Sequence, residues 1–259
     1  AELKSALGVL VKVAKRLYPA GVERPELVAT ITDDRAARKQ GLVEDQTSDQ
    51  FPMNPARILA DLRDAVPADS FLVTDVGWNK NGLAQQYDIV VPGTFITPGG
   101  YATMGFGSPA ALGTKLAAPD RPVIALIGDG GFGQNPAVLA TARREQIPVI
   151  WVVMNNNAFG TIAGLEKANY GTTFGTTFAV EGGDDMWIDY AAIAAAYGIK
   201  AKRVESAAEF GTVLAEALAS NEPYLIDVPM QNIPTPTSGH WNILDIYSPD
   251  GVKGHVSTD

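Results

Sequence analysis

Short apolar runs alternate with amphipathic stretches along most of the chain, and this alternation predicts an α/β protein. The two clearest runs, Val123–Ile127 and Ile147–Met154, predict β-strands joined by a helix that is capped by Asn135 and has Pro136 at its first position. The pattern continues on both sides and indicates a doubly wound parallel sheet of about six strands. The remaining predicted strands are 71–74, 94–97, 200–204 and 224–228, and the remaining predicted helices are 55–65, 79–87, 109–118, 190–197 and 207–219.

The pattern divides the chain into three parts. Residues 4–18 predict an amphipathic helix, whereas residues 19–52 are polar, charged and interrupted by proline and glycine, which indicates a linker that follows a surface. Residues 53–230 carry the regular α/β pattern. Residues 231–259 form a tail that contains three prolines. We therefore expect one α/β domain between a linker and a tail.

Composition narrows the class of protein further. The chain has 259 residues, of which 46% are hydrophobic and 19% charged, and this balance suits a compact soluble domain. A net charge of −9 argues against a nucleic-acid partner, because a phosphate backbone requires basic patches. Two histidines and no cysteine exclude His/Cys zinc sites and disulfides. Without a long apolar run or a signal peptide, the sequence predicts no membrane association and a cytoplasmic location.

Polar clusters follow the two clearest strands directly. Gly128-Asp129-Gly130-Gly131 comes after the first strand, and Asn155-Asn156-Asn157 comes after the second. Parallel strands joined by a right-handed crossover end at the same edge of the sheet, which is where such sheets bind ligands. Glycines and a helix amino terminus favour phosphate, and a carboxylate with an amide oxygen suits Mg²⁺. The sequence therefore predicts a site for a diphosphate held through a metal ion.

The spacing of these clusters resembles the signature of a known family. Gly128-Asp129-Gly130, followed 26 residues after Gly130 by Asn156, is similar to the motif of thiamin-diphosphate-dependent enzymes. The segments 70–77 and 99–111 also resemble the acetolactate synthase and 2-oxo-acid decarboxylase superfamily. The resemblance covers roughly residues 50–230. It implies that residues 53–230 are the diphosphate-binding domain, the C-terminal half of such an enzyme, and that residues 1–52 are the trailing end of a middle domain.

The resemblance also implies a role for each matching residue. Asp129 and Asn156 would bind Mg²⁺, with the carbonyl of Ala158 as a third protein ligand. Met104 would support the bent conformation of thiamin diphosphate, and the backbone of Ala102, where the family more often has glycine, would accept a hydrogen bond from its 4′-amino group. The implied cofactor-binding residues are Ala102, Met104, Gly128, Gly130, Gly131, Asn156, Phe159 and Gly160.

The implied activity is that of a lyase or carboligase. The thiazolium C2 of the cofactor attacks a carbonyl carbon, and a carbon–carbon bond then breaks or forms. The family activates the pyrimidine through a glutamate on a separate amino-terminal domain, and no glutamate of this chain lies in a matching context. We therefore expect one half of a split enzyme that acts on a small molecule. A partner chain would bring the pyrimidine-binding domain and its glutamate, in a heterotetramer or larger assembly.

Two positions bear on the substrate. Acetolactate synthases carry a methionine and a tryptophan where this chain has Thr161 and Leu165. The difference favours a bulkier acyl group, as in aromatic 2-oxo-acid decarboxylases or 2-hydroxyacyl-CoA lyases. Two alternatives stay open, a fragment of a true acetolactate synthase large subunit and a non-catalytic structural partner. The presence of both Asp129 and Asn156 favours a catalytic chain over the second alternative.

Four further parts of the sequence have interpretations of their own. The tail would place His240 and Trp241 near the substrate if it folds over the site as a lid, and it would otherwise be a surface extension.

The repeated Gly-Thr-Thr-Phe at 171–178 predicts a mobile loop past the cofactor, a second candidate lid. Glu166 and Lys167 are interpreted as solvated helix charges. The segment 105–110 fits a relaxed dinucleotide fingerprint, but no apolar strand directly precedes it, so we expect no nicotinamide site.

Overall fold

The structure is a computed structural model that describes residues 2–180, 182 and 184–232. The chain divides into two compact units, residues 1–44 and residues 45–259. The first unit contains α1 (Leu3–Leu17) and most of α2 (Pro25–Gln46), and within the described chain neither helix has a buried residue. The amino end of α1 is capped by Glu2, whose carboxylate accepts hydrogen bonds from the backbone N–H groups of Lys4 and Ser5.

Residues 19–52, for which the sequence pattern indicated a linker, contain helix α2, and the interpretation of this part as a linker stays a prediction. The 22 residues of this helix are exposed along nearly the whole length, and its few apolar residues do not gather on one face. Hydrophobic periodicity therefore gave no signal for it. Local chemistry explains the helix, because Pro25 occupies the first position, Glu26 lies in the first turn, and most later residues are good helix formers.

A six-stranded sheet forms the centre of the second unit. All its strand pairs are parallel, and the spatial order is β2-β1-β3-β4-β6-β5. This arrangement confirms the predicted α/β class and the doubly wound sheet of about six strands. The strands are β1 (Phe71–Thr74), β2 (Phe95–Ile96), β3 (Val123–Gly128), β4 (Ile150–Asn155), β5 (Lys200–Arg203) and β6 (Tyr224–Pro229).

Within the described ranges of the second unit, one helix precedes these strands and seven helices connect them. One differs from the prediction, since the helix between β3 and β4 begins at Val138 and not at Pro136. Asn135 and Pro136 instead form turns, in which their carbonyls accept from Val138 and Leu139, and a four-residue helix directly follows β3. The helices are α3 (Pro55–Ala65), α4 (Trp78–Gln86), α5 (Gly107–Ala117), α6 (Asp129–Phe132), α7 (Val138–Glu145), α8 (Gly160–Tyr170), α9 (Tyr190–Ala196) and α10 (Ala207–Ser220).

Helices cover both faces of the sheet, and each face has its own hydrophobic core. Because side chains alternate along a strand, Leu72 and Leu126 face the core built with α3, α4 and α10, whereas Val73 and Ala125 face the core built with α5, α7 and α9. A sheet buried on both sides requires continuous apolar strands, which explains the unbroken runs of β3 and β4.

The strand order sets the place of the ligand site. The chain leaves β1 toward β2 on one side and leaves β3 toward β4 on the other, so a crevice opens beyond the carboxyl ends of β1 and β3. This is the topological switch point at which doubly wound sheets bind ligands. Over the ranges described, no helix combines the length and the apolar character needed to cross a bilayer.

Candidate functional site

A cleft of about 310 Å³ lies at this switch point. Its walls come from the first turns of α4 and α8, and its floor from the residues that follow β3 and β4. The structure therefore brings most of the predicted site residues together, while Ala102 is not part of the lining and His240 and Trp241 lie outside the described residues. The predicted residues that line the cleft are Met104, Gly128, Asp129, Gly130, Gly131, Asn156, Ala158, Phe159, Gly160, Thr161 and Leu165.

Three oxygen atoms converge in the floor of the cleft. The side-chain oxygen of Asn156 lies 3.2 Å from Asp129 Oδ1 and 3.0 Å from the carbonyl oxygen of Ala158, and it faces acceptors only. Its amide nitrogen is turned away and donates to Asn232 Oδ1 at 2.9 Å. Rotating the amide would place its NH₂ group against the two oxygens, and a cation between them would satisfy all three without rotation.

The two distances from the Asn156 oxygen fit the hydrogen bonds of a rotated amide, and they fit a bound cation as well. In an octahedral Mg²⁺ site with bonds of about 2.1 Å, neighbouring ligand oxygens lie about 3.0 Å apart. One carboxylate, one amide and one backbone carbonyl are also a ligand set that leaves positions for phosphate oxygens and water. The three residues therefore fit the metal ion that the sequence pattern predicts.

Asp129 is deeply buried and only 1% exposed. Burial raises the pKa of its carboxyl to about 7, although hydrogen bonds that favour the charged form act to lower this pKa. Those bonds come from the backbone N–H of Gly130 to Oδ1 at 2.8 Å and from the N–H of Ala158 to Oδ2 at 3.2 Å. A carboxylate that is costly to ionise when empty is well suited to a cation, which replaces the proton.

The glycines of the motif are required by close contacts. A Cβ on Gly130 would lie 2.5 Å from the Phe159 ring and 3.4 Å from Met104 Cε. A Cβ on Gly131 would lie 2.6 Å from Asp75 Oδ1, and one on Gly160 would lie 2.4 Å from the amide nitrogen of Asn156. Any larger residue would displace a group that shapes the cleft, and this explains the glycine pattern without appeal to backbone freedom.

Asp75 fixes the segment that carries Met104. Its buried carboxylate follows β1 and accepts hydrogen bonds from the N–H groups of Val76 (2.8 Å), Gly105 (3.1 Å) and Gly107 (2.7 Å). Sequence reasoning missed this role, because the backbone groups lie 30 and 32 residues away and have no side-chain signature. The only hint was an acidic residue directly after an apolar strand.

Asn79 is a second residue that the sequence did not single out. It lies in the first turn of α4 with 3% of its surface exposed, and it lines the cleft. Its Nδ2 donates to the carbonyl of Val76 at 3.0 Å, whereas its Oδ1 has no hydrogen-bond partner among the described residues. A buried oxygen without a donor indicates that a ligand or water completes this wall.

A polar network supports the floor from below. Asn155 donates to Asp227 Oδ1 (3.0 Å) and to the carbonyl of Ile188 (2.9 Å), and Arg203 donates to Asp227 Oδ2 at 2.6 Å. The hydroxyl of Tyr190 donates to the carbonyl of Asp129 at 3.3 Å. Burial raises the pKa of Asp227, while Asn155 and Arg203 act in the opposite direction. This network fixes the residue beside Asn156 to the end of the sheet.

The segment 171–178 is paired with the site. The N–H of Phe159 donates to the carbonyl of Thr176 at 2.8 Å, and the N–H of Phe178 donates to the carbonyl of Asn157 at 2.8 Å. Glu166 Oε2 accepts from the N–H of Phe174 (3.0 Å) and from the hydroxyl of Thr176 (2.6 Å). Glu166, which was interpreted as a solvated helix charge, is half-buried and also binds this segment, whereas Lys167 is exposed as expected. The role of this segment as a lid stays a prediction.

Comparisons with known proteins agree with this geometry. Residues 75–228 match the family described as thiamine pyrophosphate enzyme, C-terminal TPP binding domain. A probable acetolactate synthase large subunit of Methanocaldococcus jannaschii is 36% identical over 70% of this chain and 31% of that protein. Acetolactate synthase isozyme 2 large subunit of Escherichia coli K12 is 31% identical over 68% of this chain and 31% of that protein.

A solved structure is also similar. The thiamine diphosphate-dependent 4-hydroxybenzoylformate decarboxylase of Rhodococcus jostii RHA1 superposes with a TM-score of 0.65 at 32% sequence identity, over 73% of this chain and 34% of that one. The chain thus spans about a third of the length of the relatives that it matches.

Proposed function

The chain belongs to the thiamin-diphosphate-dependent enzymes and contains their C-terminal diphosphate-binding domain, and from this premise we propose that it binds the diphosphate of thiamin diphosphate through Mg²⁺ in the cleft beyond β3 and β4. The proposed reaction class is that of a lyase or carboligase, which breaks or forms a carbon–carbon bond next to a carbonyl. The observation that carries the proposal is the convergence of three acceptor oxygens, from Asp129, Asn156 and Ala158, at the spacing of an octahedral site.

The residues of the chain would bind and orient the cofactor. When bound, thiamin diphosphate supplies a nucleophilic thiazolium carbon and an electron sink. Asp129, Asn156 and the Ala158 carbonyl would hold the cation, and the backbone of Gly130 and Gly131 would lie along the diphosphate. The methyl group of Met104 lies beside Gly130, where it can support the bent conformation of the cofactor. Apolar residues of α8 would keep water away from the reacting carbon.

The proposal includes a pyrimidine-binding domain that carries an activating glutamate. About two thirds of the length of the relatives has no counterpart in residues 1–259. We propose that a partner chain supplies this domain, in an assembly with two copies of each chain or more. The same domain joined to this chain in a longer polypeptide would meet the requirement equally. The cytoplasmic location stays a prediction.

For the substrate, the proposal favours a 2-oxo acid or acyl compound with a bulky side chain. Thr161 and Leu165 line the cleft where a methionine and a tryptophan would leave less space. The similarity to a 4-hydroxybenzoylformate decarboxylase supports this choice, and the similarity to acetolactate synthases supports the alternative of an acetolactate synthase fragment. A product assay of the assembled enzyme that compares a phenyl-substituted 2-oxo acid with pyruvate separates the two.

Titration calorimetry of the assembled enzyme, this chain together with its pyrimidine-binding partner, with thiamin diphosphate and Mg²⁺ tests the proposal. We expect the unaltered chain to bind only when both are present, and Asp129→Ala to lose binding while circular dichroism shows a retained fold. Asp64→Ala removes an exposed carboxylate of α3 and serves as the matched control. Equal binding by Asp129→Ala and the unaltered chain would contradict the proposal. Binding without turnover of any 2-oxo acid by the assembled enzyme would favour the non-catalytic alternative.

A further inference from the structure

We propose that Glu166 is a positioning residue for the cofactor site, which it stabilises through the segment 174–178. The proposal rests on the proposed function, because the segment that Glu166 holds is paired with Ala158, whose carbonyl would bind the cation. Glu166 lies in the middle of α8, six residues after the glycine that opens this helix, and it touches no oxygen of the predicted metal site. Its effect would pass through backbone contacts.

The first step is the contact between Glu166 and the segment. A single carboxylate oxygen, Oε2, accepts the hydroxyl of Thr176 at 2.6 Å and the N–H of Phe174 at 3.0 Å. The short distance to the hydroxyl is typical of a hydrogen bond to a charged acceptor, which is about twice as strong as a neutral one. Phe174 itself is 70% exposed, so its side chain contributes little to holding the segment. The polar contacts of Glu166 therefore fix this part of the chain.

The second step joins the segment to the site. The carbonyl of Thr176 accepts from the N–H of Phe159 at 2.8 Å, and Ala158 and Thr177 form an antiparallel bridge. The rings of Phe159 and Phe178 stack edge to face, with centroids 4.9 Å apart. The residue whose carbonyl would bind the cation is thus held on one side by β4 and on the other by the segment that Glu166 fixes.

The third step is the effect on the geometry of the site. The Phe159 ring lies directly over Gly130, where a Cβ would be 2.5 Å away, and the carbonyl of Ala158 lies 3.0 Å from the oxygen of Asn156. A small shift of residues 158–159 would change both the ligand spacing and the space above Gly130. Metal sites tolerate little displacement of a ligand, and residues that orient the ligands typically change affinity by about tenfold or more.

The test compares four variants of this chain, each in the assembled enzyme, by titration calorimetry with thiamin diphosphate and Mn²⁺. Glu166→Ala should weaken binding about tenfold, and Thr176→Val, which removes only the hydroxyl, should weaken it by a similar factor. Glu166→Gln keeps an acceptor oxygen and should bind within about threefold of the unaltered chain. Lys167→Ala changes the exposed neighbour on the same helix and should bind as the unaltered chain does.

Hydrogen exchange of backbone amides distinguishes a positioning role of Glu166 from a general stabilisation of the fold. In Glu166→Ala the amide of Phe159 should exchange with solvent about tenfold faster, while the amide of Val152 in β4 exchanges as before. If Glu166→Ala does not fold, the binding affinities of Thr176→Val and Glu166→Gln test the inference in its place. Unchanged affinity in both Glu166→Ala and Thr176→Val overturns the inference and leaves the proposed function intact. Absence of binding by the assembled enzyme with the unaltered chain overturns the proposed function, and the inference with it.

Discussion

At the residue scale, three consecutive asparagines at the carboxyl end of β4 have three different sets of partners. Asn155 donates to Asp227 and to the carbonyl of Ile188 beneath the site. Asn156 faces Asp129 and the Ala158 carbonyl, where we propose the cation. Asn157 donates to the carbonyl of Phe178 at 2.7 Å and accepts from the N–H of Trp187 at 3.0 Å. One short motif therefore joins the sheet, the proposed metal site and the neighbouring segment.

Some of these roles could be predicted from the sequence, and others could not. Asp129 and Asn156 follow adjacent parallel strands, so topology alone brings them together. Asp75, Asn157 and Glu166 bind backbone groups of distant segments, and any residue can supply a backbone N–H or carbonyl. No sequence pattern marks such partners, so these three roles required the structure.

The buried charge of Asp129 should make the metal-free protein less stable as pH rises. Its pKa is raised from 3.8 to about 7 in the folded chain, so the folded state binds the proton more tightly than the unfolded state. Stability contributed by this group is therefore present below pH 4 and lost as pH rises to about 7. At about 1.4 kcal/mol for each pKa unit, the loss is at most about 4 kcal/mol.

Asp129→Asn should remove this loss. At pH 8 we expect the variant to have a free energy of unfolding about 2 kcal/mol higher than the unaltered chain, because it exchanges a costly charge for one weakened hydrogen bond. At pH 4 we expect no gain. Urea denaturation with a chelator present measures both values. If the free energies of unfolding of the variant and of the unaltered chain differ by the same amount at pH 4 and at pH 8, this account of the carboxylate is refuted.

Ala102 has a left-handed backbone with φ of 49°, and this explains why the resembling family more often has glycine there. An alanine in this region costs about 1 kcal/mol or more, whereas glycine loses somewhat more chain entropy on folding. Ala102→Gly should therefore stabilise the protein by about 0.5 kcal/mol in chemical denaturation. Ala140→Gly, an exposed position within α7, should instead destabilise it by about 1 kcal/mol. Destabilisation by both changes would argue against strain at Ala102.

At the element scale, the end of β1 is bonded to the segment before α5 through one carboxylate. Asp75 accepts from three backbone N–H groups and leaves Gly107 in contact with the backbone of Thr74, where a Cβ would lie 3.0 to 3.1 Å from strand atoms. The segment that carries Met104 is therefore held against the strand edge by hydrogen bonds and by close packing.

Asp75→Ala should separate these two elements. It leaves three N–H groups without their acceptor, and we expect a loss of about 3 kcal/mol in free energy of unfolding, with weaker cofactor binding because Met104 is displaced. Denaturation and titration measure the two effects. Asp64→Ala on the exposed side of α3 should stay within about 0.5 kcal/mol of the unaltered chain. A loss no larger than that of this control would show that the segment is held by other contacts.

Elements with regular patterns were predicted closely, and irregular ones were not. The predicted strands at 71–74 and 224–228 and the predicted helix at 55–65 match β1, β6 and α3 to within a residue, because their apolar residues are buried against the sheet. Helix α2 has no apolar face, and α6 has four residues, so neither produces a period that sequence can show. Tertiary burial is the source of the signal, and exposed or very short elements lack it.

At the scale of the whole molecule, the alternation of apolar runs and amphipathic helices was enough to predict the doubly wound sheet. The strand order, and with it the switch point between β1 and β3, places the cleft. The proposed substrate and the proposed pyrimidine-binding partner could not be derived in the same way, because the chain matches only about a third of the length of its relatives.

The most direct test of the central claim is the position of a metal ion in a crystal grown with thiamin diphosphate and Mn²⁺. We predict one anomalous peak within about 2.2 Å of Asp129 Oδ1, Asn156 Oδ1 and the Ala158 carbonyl oxygen, with the cofactor diphosphate completing its coordination. A peak away from these three oxygens, or a diphosphate bound elsewhere on the chain, would contradict it.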